Sequence, residues 1–356
     1  MTGRVLVARM DSAGDVLLAG PCIRAVAACA DSVTLLAGPR GAAAGELLPG
    51  VAEVLTWCAP WIDPEPPALV SAEVLALVEQ IREHGVDRAL VLTSFHQSPL
   101  PLALLLRMAG VPWIGAISDD YPGSLLDLRH RVDGDPPESE RALSLAESAG
   151  FRLPPGDDGT LAVRGPLPDL RTATGPPGYV VVHPGASTPA RQMSASRSAA
   201  VVAALAAAGR RVVVTGTPVD RALTATVARG GGPDLGGLDL GGRTTLPELA
   251  AVLAHASVVV APNTGPAHLA AAVGTPVVSL FAPVVPAARW APYGVPTAVL
   301  GDQDAPCRGS RARKCPVGGH PCLESIDPDE VVAATERLAA VTADRPQRRL
   351  TTGGVS

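Results

Sequence analysis

Short apolar runs alternate along this chain with longer stretches rich in Ala and Leu. That order predicts repeated β-α units around parallel sheets. In the first half the runs place strands at residues 4–8, 33–37, 53–55, 88–92 and 113–116, with helices at 16–29, 41–48, 71–84 and 101–109. Residues 119–135 are polar and interrupted by Pro122 and Gly123, so a loop is expected before helical spacing returns at 138–150. The second half restarts with strands at 179–182, 211–215, 257–261 and 277–281. Its helices are expected at 198–208, 218–229, 246–255, 266–273 and 328–341. Between the halves lies GPLPDLRTATGPPG, residues 165–178, dense in Pro and Gly and without periodicity. The expected organisation is a domain over 1–165, a linker over 166–178, a second domain over 179–341 and a disordered tail over 342–356.

Composition narrows the class. A chain of 356 residues exceeds one ordinary core and fits two. Its apolar residues are mainly Ala, Val and Leu with 3% aromatics, which suits helices on Val-rich strands and leaves little for stacking nucleobases. The formal net charge of -5 lacks the basic field of a phosphate-backbone binder, so no nucleic-acid partner is expected. The opening MTGRVLVARM enters a strand at once and shows no secretory pattern, and the apolar stretch 99–106 is too short to span a membrane. The expected location is the cytoplasm, with peripheral association at the inner face of the membrane as an extension. Cys22, Cys29, Cys58, Cys307, Cys315 and Cys322 then read as free thiols.

Ligands of open parallel sheets sit where strands end and helices begin. In RMDSAGDVLLAGP, Gly14 permits a close turn and is a donor-binding candidate, and Asp15 stands at a helix start, as a cap or as a general base. HPGASTPARQ runs from strand to helix through His183, Gly185, Ala186, Ser187 and Thr188 to Arg191, offering amides and a cation to a diphosphate. His183 reads equally as a packed strand-end residue. VVVTGTPVD places Gly216 and Thr217 before a helix with Asp220 in its first turn, suited to the helix dipole or to a ribose. In VVVAPNTGPAHLAAAVG, packing explains the Ala, Pro and Gly but leaves Asn263, Thr264 and His268 clustered around Gly265 and Pro266 at a ligand edge. Acceptor contacts are expected from loops after Ala37, Leu92 and Ala116, with His96 and Gln97 as candidates.

RMDSAGDVLLAGP, HPGASTPARQ, NTGPAHLAAAVGTPVVSLFAP and the late Cys region resemble the ADP-heptose:lipopolysaccharide heptosyltransferases, glycosyltransferase family nine. The resemblance spans both halves in order, from about Arg4 to Val332. It implies an α/β fold of GT-B architecture, two Rossmann-like domains facing across a cleft, with inversion at the sugar carbon and no cofactor or catalytic metal. It makes Asp15 the base, Arg191 the stabiliser of the leaving group, and the HPGA loop with the NTGPAH helix start the cradle of a nucleotide-diphosphate sugar donor. The acceptor is a hydroxyl of a glycan, glycolipid or small molecule. Residues 165–178 suit a hinge that closes on donor binding.

This chain departs from the family pattern in places. The family usually has Lys at Arg191 and Trp at Met193, and an Asp where Asn263 stands, so an amide replaces an ionic acceptor. Ser310 occupies the second position of what resembles a pattern of four cysteines. Cys307, Cys315, His320 and Cys322 suffice for zinc in number, but no tight CxxC pair is present, which favours a compact loop near the donor site. Two other readings remain open: a nucleotide-sugar 2-epimerase of the same architecture, and a non-catalytic nucleotide-sugar binder.

Overall fold

A computed structural model describes residues 3–230, 232 and 236–343. The chain packs as two compact units that divide after Thr160. Each is built on a six-stranded, wholly parallel sheet.

In the first unit the strands are β1 (Arg4–Arg9), β2 (Ser32–Ala37), β3 (Glu53–Thr56), β4 (Arg88–Leu92), β5 (Trp113–Ile117) and β6 (Leu128–His130). Their order across the sheet is β3-β2-β1-β4-β5-β6. β1 therefore lies centrally, with Arg9 opposite Ala37 on one side and Leu92 on the other. Five of its six residues are buried, the near-continuous apolar run that a strand covered on both faces requires. Chain order reverses between β1 and β4, and a ligand crevice is expected at their carboxyl ends. Away from that edge, Arg88 lies over the rings of Trp113 at 4.0 Å and Phe151 at 4.7 Å, spending two of the few aromatics on packing. A bidentate pair from Arg24 to Asp157, at 2.6 and 2.8 Å, ties the last loop of this unit to the helix Gly20–Ala27.

The second unit carries β7 (Tyr179–Val182), β8 (Val212–Val214), β9 (Leu238–Asp239), β10 (Ala256–Pro262), β11 (Val277–Leu280) and β12 (Thr297–Leu300). Their order is β12-β11-β10-β7-β8-β9, which puts the reversal between β7 and β10. The helix Pro328–Ala343 lies against the helix Ala195–Ala207 and against β10. Its register with the sheet buries Val331, Ala334 and Leu338 in the same core as Val180, Val201 and Val258.

The structure differs from the sequence expectation at several points. The single helix expected over 16–29 is two, Ala13–Leu18 and Gly20–Ala27, because Pro21 opens a new first turn and cannot donate within the old one. The loop expected over 119–135 contains β6, and β9 and β12 also had no counterpart. These three are edge strands, short and only partly buried, so their residues need no apolar run. The stretch expected as linker carries a short helix, Arg171–Thr174, while Leu161 and Val163 ahead of it are buried. The final helix continues through Ala343, and the rest of the expected tail lies outside the described residues.

Candidate functional site

In the first unit the carboxyl ends of β1 and β4 enclose a buried ionic cluster. Arg9, the last residue of β1, is 2% exposed. Its Nη2 donates to Asp15 Oδ1 and to Ser94 Oγ, each at 3.1 Å. Its Nε lies 3.1 Å from Asp11 Oδ2, an ion pair outside hydrogen-bond angles, and its Nη1 lies 3.6 Å from Glu138 Oε2. Arg141 joins from the helix Glu138–Ser148, reaching Glu138 at 3.5 Å and donating to the Thr93 carbonyl at 2.7 Å. Three carboxylates thus meet two guanidiniums, an excess of one negative charge when all are ionised.

Burial acts against the charge on Arg9, but the three carboxylates more than offset it and raise its pKa further. Burial pushes Asp11 up to about 6, opposed by Arg9 and by the Gln97 amide, and reinforced by the nearby charges of Asp15 and Glu138. Glu138 is raised chiefly by burial, and its Oε1 has no hydrogen-bond partner among the described residues. Thr93 Oγ1 and Ser139 Oγ are likewise buried without one.

Asp15 occupies the third position of the helix Ala13–Leu18 and forms a reciprocal capping box with Ser12. Its Oδ2 accepts from the Ser12 amide at 3.1 Å and the Ser12 hydroxyl at 2.6 Å. The cap and the ionic partner are therefore combined in one side chain. Glycine supports the loop: a Cβ on Gly38 would stand 2.3 Å from the Met10 carbonyl oxygen, so only hydrogen fits there. Gly14 is buried in the first turn of the helix. Gln97 spends both ends of its amide within the fold, donating to Asp11 Oδ1 at 2.6 Å and accepting from the Ser94 amide at 2.9 Å. His96 is exposed, edge-on to the Phe95 ring at 5.5 Å. The two acceptor candidates therefore diverge. Arg9, Asp11, Ser94, Glu138 and Arg141 were missed by the sequence reading; the one local signal was a pair of charges, Arg9 and Asp11, closing an apolar strand.

In the second unit the loops after β7, β8 and β10 converge on the β7/β10 edge. His183, directly after β7, is 3% exposed, and its Nδ1 lies 3.0 Å from Thr215 Oγ1. It walls a small apolar pocket with Val182, Pro184, Met193, Val201 and Val260. Burial lowers its pKa to about 4, so the ring is neutral and acts as a packed residue. Gly185 and Pro184 are buried, Ala186 and Thr188 half-buried, and Ser187 exposed. A Cβ on Gly185 would come within 2.9 Å of the Asp220 carboxylate, so these two loops approach closely. Asp220 Oδ2 closes a capping box, accepting from the Thr217 amide at 2.9 Å and its hydroxyl at 2.5 Å, while Gly216 packs against Thr224 and Asp220.

Arg191 ends the turn Pro189–Arg191, and its Nη1 donates to the Asn263 carbonyl at 3.5 Å, joining the β7 loop to the β10 loop. The late Cys-rich segment braces that turn: Ala190 donates to the Arg313 carbonyl, and His320 Nε2 lies 3.0 Å from the Ala190 carbonyl. Cys322 is pushed up to about 12 by burial and by neighbouring Cys307 and Cys315. No group of His, Cys, Asp or Glu with metal-holding geometry occurs among the described residues.

After β10, Asn263 is 4% exposed, and neither polar atom of its carboxamide has a hydrogen-bond partner among the described residues. Thr264 caps the helix Gly265–Ala272 by position, with extended backbone and no side-chain cap bond. Pro266 stands in the first turn, and His268 is 6% exposed one turn in. An uncompensated buried polar atom costs about 1–3 kcal/mol, and Asn263 carries two at a strand end where a ligand would satisfy them.

Comparison with known proteins places the chain in a family. The family model for glycosyltransferase family 9 (heptosyltransferase) matches residues 74–320, which takes in the whole β7, β8 and β10 edge and leaves Asp15 outside. Lipopolysaccharide heptosyltransferase 3 of Escherichia coli strain K12 is 34% identical over 177 residues, 47% of this chain and 49% of that protein. Another Escherichia coli protein of that name is 39% identical over 106 residues, 29% of this chain and 31% of its own length. The chain thus matches about half or less of these curated relatives. Among solved structures, a glycosyl transferase family 9 protein from Veillonella parvula superposes with a TM-score of 0.73 at 18% identity, covering 95% of this chain and 97% of its own. The Escherichia coli ADP-heptose lps heptosyltransferase II gives 0.69 at 21%, covering 96% and 99%. Those two share the α/β fold of paired Rossmann-like domains. With the family model matched across more than half its length, the chain belongs to glycosyltransferase family 9, the heptosyltransferase family.

Proposed function

We propose that the chain is an inverting glycosyltransferase, moving a heptose-like sugar from a nucleotide diphosphate donor to a hydroxyl of a glycan, glycolipid or small-molecule acceptor. ADP-heptose is the favoured donor, in keeping with the name of the solved heptosyltransferase II relative. The observation that carries this reading is the buried, unpartnered Asn263 carboxamide beside Arg191 at the β7/β10 reversal. A neutral amide there donates to and accepts from sugar or phosphate oxygens, while the Arg191 guanidinium meets the diphosphate charge.

Chemically, the acceptor oxygen forms a bond to the anomeric carbon as the bond from that carbon to the diphosphate breaks. The electron pair leaves with the diphosphate, where Arg191 and the amides of residues 185–188 stabilise it, so the mechanism requires no metal. The acceptor proton passes to Asp15, which takes the role of general base. A single displacement of this kind inverts the anomeric centre.

The test is a calorimetric screen of ADP-, GDP- and UDP-sugars followed by turnover measurements. ADP-heptose is expected to bind tightest, and ADP release is expected to be unaffected by EDTA. Asp15→Asn is expected to keep donor affinity while turnover falls by about 100-fold or more. Equal binding of every nucleotide sugar would sink the donor assignment, and full turnover in Asp15→Asn would remove the base. Binding without turnover in the wild type would leave a non-catalytic binder.

A further inference from the structure

The first unit holds a second, largely enclosed carboxylate that the proposed chemistry does not use. Asp11 sits four residues ahead of Asp15, with 11% of its side chain exposed, and the two acids share one edge of the same guanidinium. On that edge Nε faces Asp11 and Nη2 faces Asp15, each at 3.1 Å. Arg9 would otherwise be free to offer both positions to a single carboxylate, the fork geometry in which arginine binds acids most strongly. A carboxylate clasped in that way is stabilised as an ion and weakened as a proton acceptor.

We propose that Asp11 is a positioning residue for Asp15, holding the Nε corner of Arg9 so that the guanidinium orients Asp15 through Nη2 without clasping it. The proposal rests on the reading of Asp15 as the base. Asp11 is itself fixed from every side that packs on it. Arg9 meets it from β1, Gln97 donates to Oδ1 at 2.6 Å, and Ser94 Oγ stands 3.5 Å from Oδ2. Asp15 on the following helix and Glu138 on the helix Glu138–Ser148 add negative potential, and Arg141 on that same helix draws on Glu138. Glu138 also occupies Nη1 of Arg9, so the guanidinium is held at three corners by three acids.

The experiment follows the Asp15 carboxyl resonance with pH in protein labelled with 13C-aspartate. It compares wild type, Asp11→Asn, Arg9→Lys and the double variant, with folding checked by circular dichroism. Asp11→Asn is expected to raise the acidity constant of Asp15 by about tenfold or more, as Nε moves onto it. Removing a like charge alone acts in the same direction, and the Lys background isolates that part. An ammonium cannot clasp, so there Asp11→Asn is expected to change the constant by about threefold or less. Asp11→Glu, which restores an acid to Nε, is expected to return the midpoint toward wild type. Equal shifts in the Arg and Lys backgrounds would overturn the proposal, because the effect would then be charge alone. Should Asp11→Asn fold poorly, Asp11→Ser removes the same acid and gives the same readout.

The activity arm separates the two ideas. Using ADP release from ADP-heptose, Asp11→Asn is expected to lower kcat with little change in donor KM and to displace the acidic limb to lower pH. Full turnover in Asp15→Asn would defeat the base reading itself. Loss in Asp15→Asn with an unmoved limb in Asp11→Asn would defeat only the role given to Asp11.

Discussion

Asn263 and His183 stand at neighbouring strand ends of the second unit and pull stability in different ways. The Asn263 carboxamide is buried without a hydrogen-bond partner among the described residues, so its presence costs the ligand-free protein free energy that an apolar side chain of similar volume would not. Asn263→Leu is accordingly expected to raise Tm and to weaken ADP-sugar binding by at least about tenfold, measured by thermal melts and calorimetry on the same preparation. A loss on both counts would mean the amide is satisfied within the fold. His183 is neutral in the folded state with its pKa lowered to about 4, while an unfolded chain protonates near 6.5. Between those values the unfolded state binds more protons. The stability His183 contributes is therefore whole above pH 6.5 and is lost as pH falls through the folded value, by at most roughly 3 kcal/mol. Urea titrations at pH 7 and pH 4.5 are expected to converge when His183→Gln is compared with wild type, and an unchanged gap would contradict the assignment.

The loop after β1 is shaped by a neighbouring element as much as by its own residues. Gly38, just past β2, touches the Met10 carbonyl so closely that a methyl group would lie 2.3 Å from it, against main chain that cannot swing aside. Gly38→Ala is expected to cost about 1–3 kcal/mol and to reduce turnover more than donor affinity, because the displaced segment carries Asp11 and leads into the Asp15 helix. Wild-type kinetics in a destabilised Gly38→Ala protein would show that the loop tolerates the shift. The same contact explains what the sequence could and could not convey. Apolar runs such as RVLVAR and YVVV announce buried parallel strands by themselves, and the Gly and Asp of SAGD mark a helix start. Two partners of Arg9, Ser94 and Glu138, lie 85 and 129 positions downstream, and no local pattern reports contacts made through a sheet. Edge strands such as β6 escaped for the opposite reason: half in water, they carry ordinary loop residues.

At the scale of the whole chain, both sheets are wholly parallel, each reverses strand order once, and the candidate site residues cluster beside those reversals. Apart from Gly14, the residues expected to hold the donor belong to the second unit, so nucleotide is expected to act mainly on that unit. In calorimetric melts, ADP at about 100 times its Kd would stabilise the second unit by about 2.7 kcal/mol. The expected result is a shift of one transition with the first unit's signal unmoved, as followed by hydrogen exchange of β1 and β4 amides; equal protection of both sheets would place nucleotide contacts elsewhere. Buried oxygens and nitrogens without a hydrogen-bond partner among the described residues occur at both reversals: Glu138 Oε1, Thr93 Oγ1 and Ser139 Oγ in one unit, and the Asn263 amide in the other. Such atoms are tolerated at the expense of robustness. A saturation survey for heat-resistant variants, run with no substrate and no knowledge of the reaction, is therefore expected to collect its largest gains at these strand ends and to draw the outline of the two proposed surfaces.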